Sequence, residues 1–244
     1  MTMSGDVFRD EWSIEFDGTD DYIDCSSNFE TTLFNAAFSI SVWVKPASLT
    51  PSSYSYIIGT KQGNDYFHLR HSPGGQLDTI FKEGTTESTN AEPGWGTAGK
   101  WHHIVSTISD SKQVMYLDAK EVHSTTTSLT LSGFNQNTNR NLYIGGRNLT
   151  GSLSLPYTGK VSDVALYTTF LTASQVRSIY NGGEPYNHME GVAKTSVLAW
   201  YRLGDGAENA TGTTIYDEST NTFNGTWSGA SAGVTSIQYS GDTP

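Results

Sequence analysis

A period of two constrains this chain more than any other feature. Short runs of alternating apolar and polar residues recur along it, separated by small and turn-forming residues. Successive side chains on a strand point to opposite faces, so each run describes a strand with one buried face. In EWSIEFD, Trp12, Ile14 and Phe16 share one face. In AFSISVWVKP, Phe38, Ile40, Val42 and Val44 share one, and Ser39, Ser41 and Trp43 the other. DYFHLRH sets Phe67 and Leu69 against Tyr66, His68 and Arg70. WHHIVSTI sets Ile104 and Ile108 against Trp101, His103 and Val105. QVMYLD, NLYIGG, KVSDVALY and SVLAWYRL read as further strands. Many short strands with Gly-, Asn- and Ser-rich connections predict a sandwich or barrel.

A single helix stands out, in LTASQVRSIYNGG. Thr172 is placed as its N-cap, with Gln175 as capping-box partner. Val176, Ile179 and Tyr180 follow at helical spacing, and Asn181, Gly182 and Gly183 form a stop. So short a helix must pack on the sandwich to be stable. No linker divides the chain. The expected organisation is an N-terminal arm over 1–11, one domain over 12–227 and a C-terminal tail over 228–244.

Charge narrows the partners. The formal net charge of −11 disfavours nucleic acid and anionic membranes, which recruit clustered Lys and Arg. It is compatible with neutral sugars, cations or basic proteins. No apolar run is long enough to span a bilayer. Cys25 is the sole cysteine, so neither an intrachain disulfide nor a Cys-rich zinc site can form. The opening residues lack the apolar segment of a signal peptide. The expectation is a chain folded in the cytosol, or an extracellular one whose leader has been removed.

The ordered segments resemble the laminin-G-like jelly-roll family, within the concanavalin A-like lectin/glucanase fold. SIEFDGTDDYID matches a family strand, an F-D-G turn and an acidic loop. FSISVWVKP is similar to the strand with a central Trp. GKWHHIVSTISDSKQVMYLDAKEV resembles a W-H-H-V strand and hairpin, with Ala119 where the family has glycine. NLYIGGRN and GKVSDVALYTTFLTASQVRSIYNGG resemble the later strands and helix. The resemblance implies an all-β, two-sheet antiparallel jelly-roll sandwich with one short helix on its C-terminal side. The segment from Val197 through IYDESTNTFNGTW either closes this domain or begins a second one.

The same fold hosts glucanases. Retaining ones need two carboxylates about 5–5.5 Å apart, which an E-x-D-x-E type run supplies. The chain has no such run; Glu15 and Asp17 are the nearest pair. His102 and His103 are adjacent strand residues, point oppositely and read as structural.

Calcium is the expected cofactor, if any. DGTDDYID offers Asp17, Asp20, Asp21, Asp24 and the Gly18 carbonyl, and hard cations take such oxygens. The resemblance adds Asp163 on the late strand, although Ser162 stands where the family carries its first acid. An acidic turn with Asx hydrogen bonds is the ordinary alternative. The DESTN loop, with Asp217, Ser219 and Asn221, poses the same choice.

Sugars need aromatic faces and nearby polar groups. The candidates are Trp95 between glycines, Tyr54, Tyr56, Arg147, Asn148 and Tyr157. Two functions follow as expectations. One is a non-enzymatic binding or adhesion domain that recognises glycans or surfaces and is displayed on a larger particle, such as a virion. The other is a structural protein of a particle such as a bacteriophage capsid or tail, docking to protein partners or to copies of itself.

Overall fold

The computed structural model describes residues 8, 10–26, 32–60, 65–133, 141–149, 152–204, 213–229 and 239–244. The chain forms β1 (Ser13–Asp17), β2 (Tyr22–Asp24), β3 (Phe38–Pro46), β4 (Ser55–Thr60), β5 (Tyr66–His71) and β6 (Gln76–Glu83). Then come β7 (Thr86–Pro93), β8 (His102–Ile108), β9 (Lys112–Leu117), β10 (Lys120–Thr126), β11 (Leu142–Ile144), β12 (Arg147–Leu149) and β13 (Ser152–Ser154). After β14 (Thr158–Tyr167) comes α1 (Ala173–Tyr180), then β15 (Val197–Tyr201), β16 (Thr214–Ile215), β17 (Gly225–Ser228) and β18 (Tyr239–Ser240).

Two antiparallel sheets result, as the alternation predicts. The first runs β10-β9-β8-β3-β14-β1-β18, with β15 also on β14. The second runs β16-β17-β2-β11-β4-β5-β6-β7. Phe16, Phe38, Val42, Phe67, Leu69, Phe81 and Ile104 point into one core between them. Tyr66, His68 and Arg70 lie on the far face from Phe67 and Leu69, because a strand alternates. No helix among the described residues is long and apolar enough to cross a membrane.

Strand β14 serves two neighbours. Its first half, Thr158 to Val161, pairs β1, and its second half, Val164 to Tyr167, pairs β15. The changeover coincides with an irregularity in its pairing with β3, between Ser162 and Ala165. There Asp163 adopts φ 51°, a left-handed conformation.

The helix forms as predicted. The Thr172 hydroxyl accepts from Gln175 N, the Gln175 side chain accepts from Thr172 N, and Asn181 ends the helix in the left-handed region. Val176 and Ile179 are its buried residues. The segment after the helix closes back onto the same sandwich, since β15 joins the first sheet and β17 pairs β2 in the second.

The last residues correct the expected tail. Tyr239 and Ser240 pair with Ile14 and Ser13. Asp242 accepts from Lys45, Lys160 and the Trp101 indole at 2.6, 2.8 and 3.1 Å. Burial alone would raise its carboxyl; bonds from Lys160, Lys45 and Trp101 outweigh that and hold it down to about 2. Trp101 itself stands just before β8 rather than within it.

Candidate functional site

The two outer faces differ in cover. On the first sheet, Val105, Val114, Tyr116, Ala165, Tyr167 and Trp200 are buried beneath α1 and residues of the 184–196 segment. Trp43 stacks on Tyr180 of the helix at 5.7 Å. A fully buried polar group lies there too. Tyr167 donates to Nδ1 of His188, and Nε2 of His188 donates to Asp163 at 3.1 Å. The Trp200 indole donates to the other Asp163 oxygen at 2.5 Å. This Tyr-His-Asp order has no access for a substrate and serves the packing.

The second sheet keeps an accessible outer face, and three of the predicted ligand residues converge on it. The Tyr54 ring, 40% exposed, lies under the Arg70 guanidinium at 4.0 Å. Arg70 donates to the Tyr56 hydroxyl at 2.9 Å and to Asp78 at 3.2 Å. Arg147 covers the Tyr56 ring at 4.7 Å. Tyr66 stacks on His68 at 4.4 Å and donates to Glu87 at 2.8 Å. Burial, then Arg147 and Arg70, push the His68 imidazole well below its ordinary value, so it is neutral at pH 7. Burial and the Glu87 carboxylate raise the Tyr66 phenol to about 12. Arg70, Tyr66 and His68 were legible as one face in DYFHLRH, yet only the fold sets them beside Tyr54, Tyr56 and Arg147.

Other predicted ligand residues do not join this face. Trp95 is 1% exposed and Tyr157 wholly buried; both pack edge-on against His71 in the core. The glycines around Trp95 let the loop tuck the ring inward, since Gly94 and Gly96 both take φ 65°. The Tyr56 ring is also buried, so it supports the arginines rather than meeting a ligand. The Asn148 side chain lies outside the described residues.

The acidic turn comes together in part. One carboxylate oxygen from each of Asp17, Asp20 and Asp21 lies within 4.8 Å of the others. Gly18 turns the chain there at φ 80°. Burial raises the Asp21 carboxyl, and the Asp17 and Asp20 charges add to that. This donor set suits calcium. Asp163 does not belong to it: Asp17 pairs with Thr158, five residues away along β14, and Asp163 is spent on His188 and Trp200. The Asp217 loop is an Asx turn. Its carboxylate accepts from Trp200 N, Ser219 N, Ser219 Oγ and Phe223 N, which takes up its oxygens.

His102 and His103 diverge as adjacent strand residues must. His102 bonds Asp118 through Nδ1 and accepts from Thr97 N, and His103 bonds the Ser41 hydroxyl.

Solved structures share this architecture. A candidate carbohydrate-binding protein from Bacteroides ovatus superposes with a TM-score of 0.69 at 18% identity, over 96% of this chain. This chain spans 60% of that protein's length. The CBM40 module of the Ruminococcus gnavus IT-sialidase, also solved with α2,3-sialyllactose, gives 0.57 at 16% identity, over 68% of this chain and 95% of the module. A SAP-like pentraxin from Limulus polyphemus gives 0.52 at 15%, over 71% and 83%. No curated protein sequence matches. A laminin-G-type family model matches residues 17–177, and the chain belongs to the concanavalin A-like lectin/glucanases superfamily.

Proposed function

We propose that the chain is a non-enzymatic carbohydrate-binding module whose ligand lies on the open face of the second sheet, against Tyr54, Tyr66, Arg70 and Arg147. One observation carries this reading. Two guanidiniums and two accessible tyrosines converge on a face that, among the described residues, stays partly open beside the crossing at Arg147, while the opposite face is packed beneath the helix. Tyrosine rings stack against sugar faces, and guanidiniums bond oxygens in pairs. Likeness to carbohydrate-binding proteins supports the same reading.

The carboxylates of the face argue against hydrolysis. Asp78 and Glu87 lie on adjacent strands, four positions apart in register. That is about 13 Å at strand spacing, beyond the roughly 9.5 Å limit of inverting glycosidases. Both are also bonded, to Arg70 and Tyr66.

Asp17, Asp20 and Asp21 would hold a structural calcium that pins the β1–β2 turn. A higher melting midpoint in calcium than in chelator supports that role; identical midpoints dismiss it. Glycan-array binding, with sialyllactose included because of the arginines, tests the main reading. Loss of bound glycans in Tyr66→Ala and Arg70→Ala is expected. An array on which the native chain binds nothing sinks it.

A further inference from the structure

We infer that the same open sheet carries a second sugar site, for neutral sugars, in a recess beside β2 and β17. The inference rests on the carbohydrate-binding reading above. The recess measures about 410 Å³ and is lined by Tyr22, Asp24, Ser26, Asn141, Asn224 and Thr226, among others. Three separate segments build it. Thr226 pairs with Asp24 across the strands, and Tyr22 packs edge-on against Tyr143 at 5.9 Å.

Its polar groups are held in place with hydrogen-bonding capacity remaining. Asp24 Oδ1 accepts from Ser26 N and Asn141 Nδ2, and Oδ2 accepts from Asn141 Nδ2, each at 2.8 Å. A carboxylate offers about four lone-pair positions, so Oδ2 can accept one more donor. The Asn224 carbonyl accepts from Asp217 N at 3.0 Å, which fixes the amide and leaves its NH₂ for other partners. Thr226 is exposed.

Ser26 supplies a separate sign of a site. It sits at φ 63°, a conformation uncommon for serine, and its hydroxyl is shielded from solvent without a partner among the described residues. Strain and an unsatisfied polar group together mark places where structure serves something other than stability. A carboxylate acceptor, an amide donor, two hydroxyls and a tyrosine ring match a polyol ring with adjacent hydroxyls. Asp24, with no cation among the recess residues named, selects against acidic sugars. The Arg70–Arg147 face has the opposite bias.

The two sites are separate. Strand β4 lies between β11 and β5 in the sheet, and the chain at Gly146 and Arg147 passes over it. A Cβ on Gly59 would meet that of Arg147 at 2.9 Å. The recess at β2–β17 and the Tyr66–Arg70 face thus fall on opposite sides of a ridge.

A glycan array of neutral and sialylated oligosaccharides, probed with the native chain, Thr226→Arg and Tyr66→Ala, decides the matter. Thr226→Arg, which fills the recess, is expected to lose about tenfold or more on neutral glycans and to keep the sialylated ones; Tyr66→Ala behaves conversely. If Thr226→Arg lowers the melting midpoint, Tyr22→Ala reads the recess instead. Native-like binding by the recess variants overturns the second site and leaves the first reading standing. Loss of the same glycans in both variants overturns their separateness. No binding by the native chain overturns both readings.

Discussion

Both outer faces of the sandwich carry aromatic rings beside charged groups, yet they have opposite fates. On the first sheet, Trp200, Tyr167, His188 and Asp163 satisfy one another beneath the helix and the segment after it. On the second, Tyr54, Tyr66, Arg70 and Arg147 are partly exposed. Composition alone does not separate a binding face from a packed one; cover does. The covered face depends on internal hydrogen bonds for stability, whereas the open face can exchange water for a ligand at little structural cost.

That contrast can be broken most forcefully at Asp163. Asp163→Ala leaves His188 and the Trp200 indole buried without their acceptor, and is expected to cost about 3–5 kcal/mol. Chemical denaturation measures it; a cost under about 1 kcal/mol would mean the covered cluster is not what secures that face.

Next comes pH. Burial, outweighing the pull of Asp163, holds the His103 imidazole down to about 4 against an ordinary 6.5. Between those values the unfolded chain takes a proton that the native one refuses. This contribution is complete above pH 6.5 and declines as pH falls towards 4, by up to about 1.4 kcal/mol per pH unit. A His103→Gln variant should flatten the slope, and an unchanged slope would assign it elsewhere.

Smaller still is the helix cap. Thr172→Ala should cost about 1 kcal/mol, read as a lowered melting midpoint. It loosens the cover over the first sheet and leaves glycan binding alone. Least costly is Tyr54→Ala, expected within about 0.5 kcal/mol of native stability while weakening glycan binding. A large stability loss there would erase the distinction between the faces.

Much of the fold was legible in the sequence because alternation and capping are local. Phe67 and Leu69 against Tyr66, His68 and Arg70 needs only a period of two. Thr172 with Gln175 needs only a spacing of three. The site was legible in part. Tyr54, Tyr56 and Arg147 stand out by residue type, but their meeting point depends on which strands lie side by side. Trp95 misled because flanking glycines suit an exposed loop and an inward tuck equally well. Asp163 misled because a left-handed residue beside a register shift redirects a side chain that simple alternation cannot place. The recess, built from three distant segments, left no mark in any one of them. Display on a particle finds no support in the fold or in the neighbours named here.

The changeover along β14 also bears on how the molecule assembles. One strand templates both β1 and β15, so two segments nearly 190 residues apart dock along one strand that neither can replace. Strand β15 begins 30 residues after β14 ends, whereas β1 ends 141 residues before β14 begins. Loop closure costs more as separation grows, so the β14–β15 pairing is expected to form ahead of the β1–β14 pairing. The two halves of one strand are thus filled from opposite directions along the chain, the near partner first.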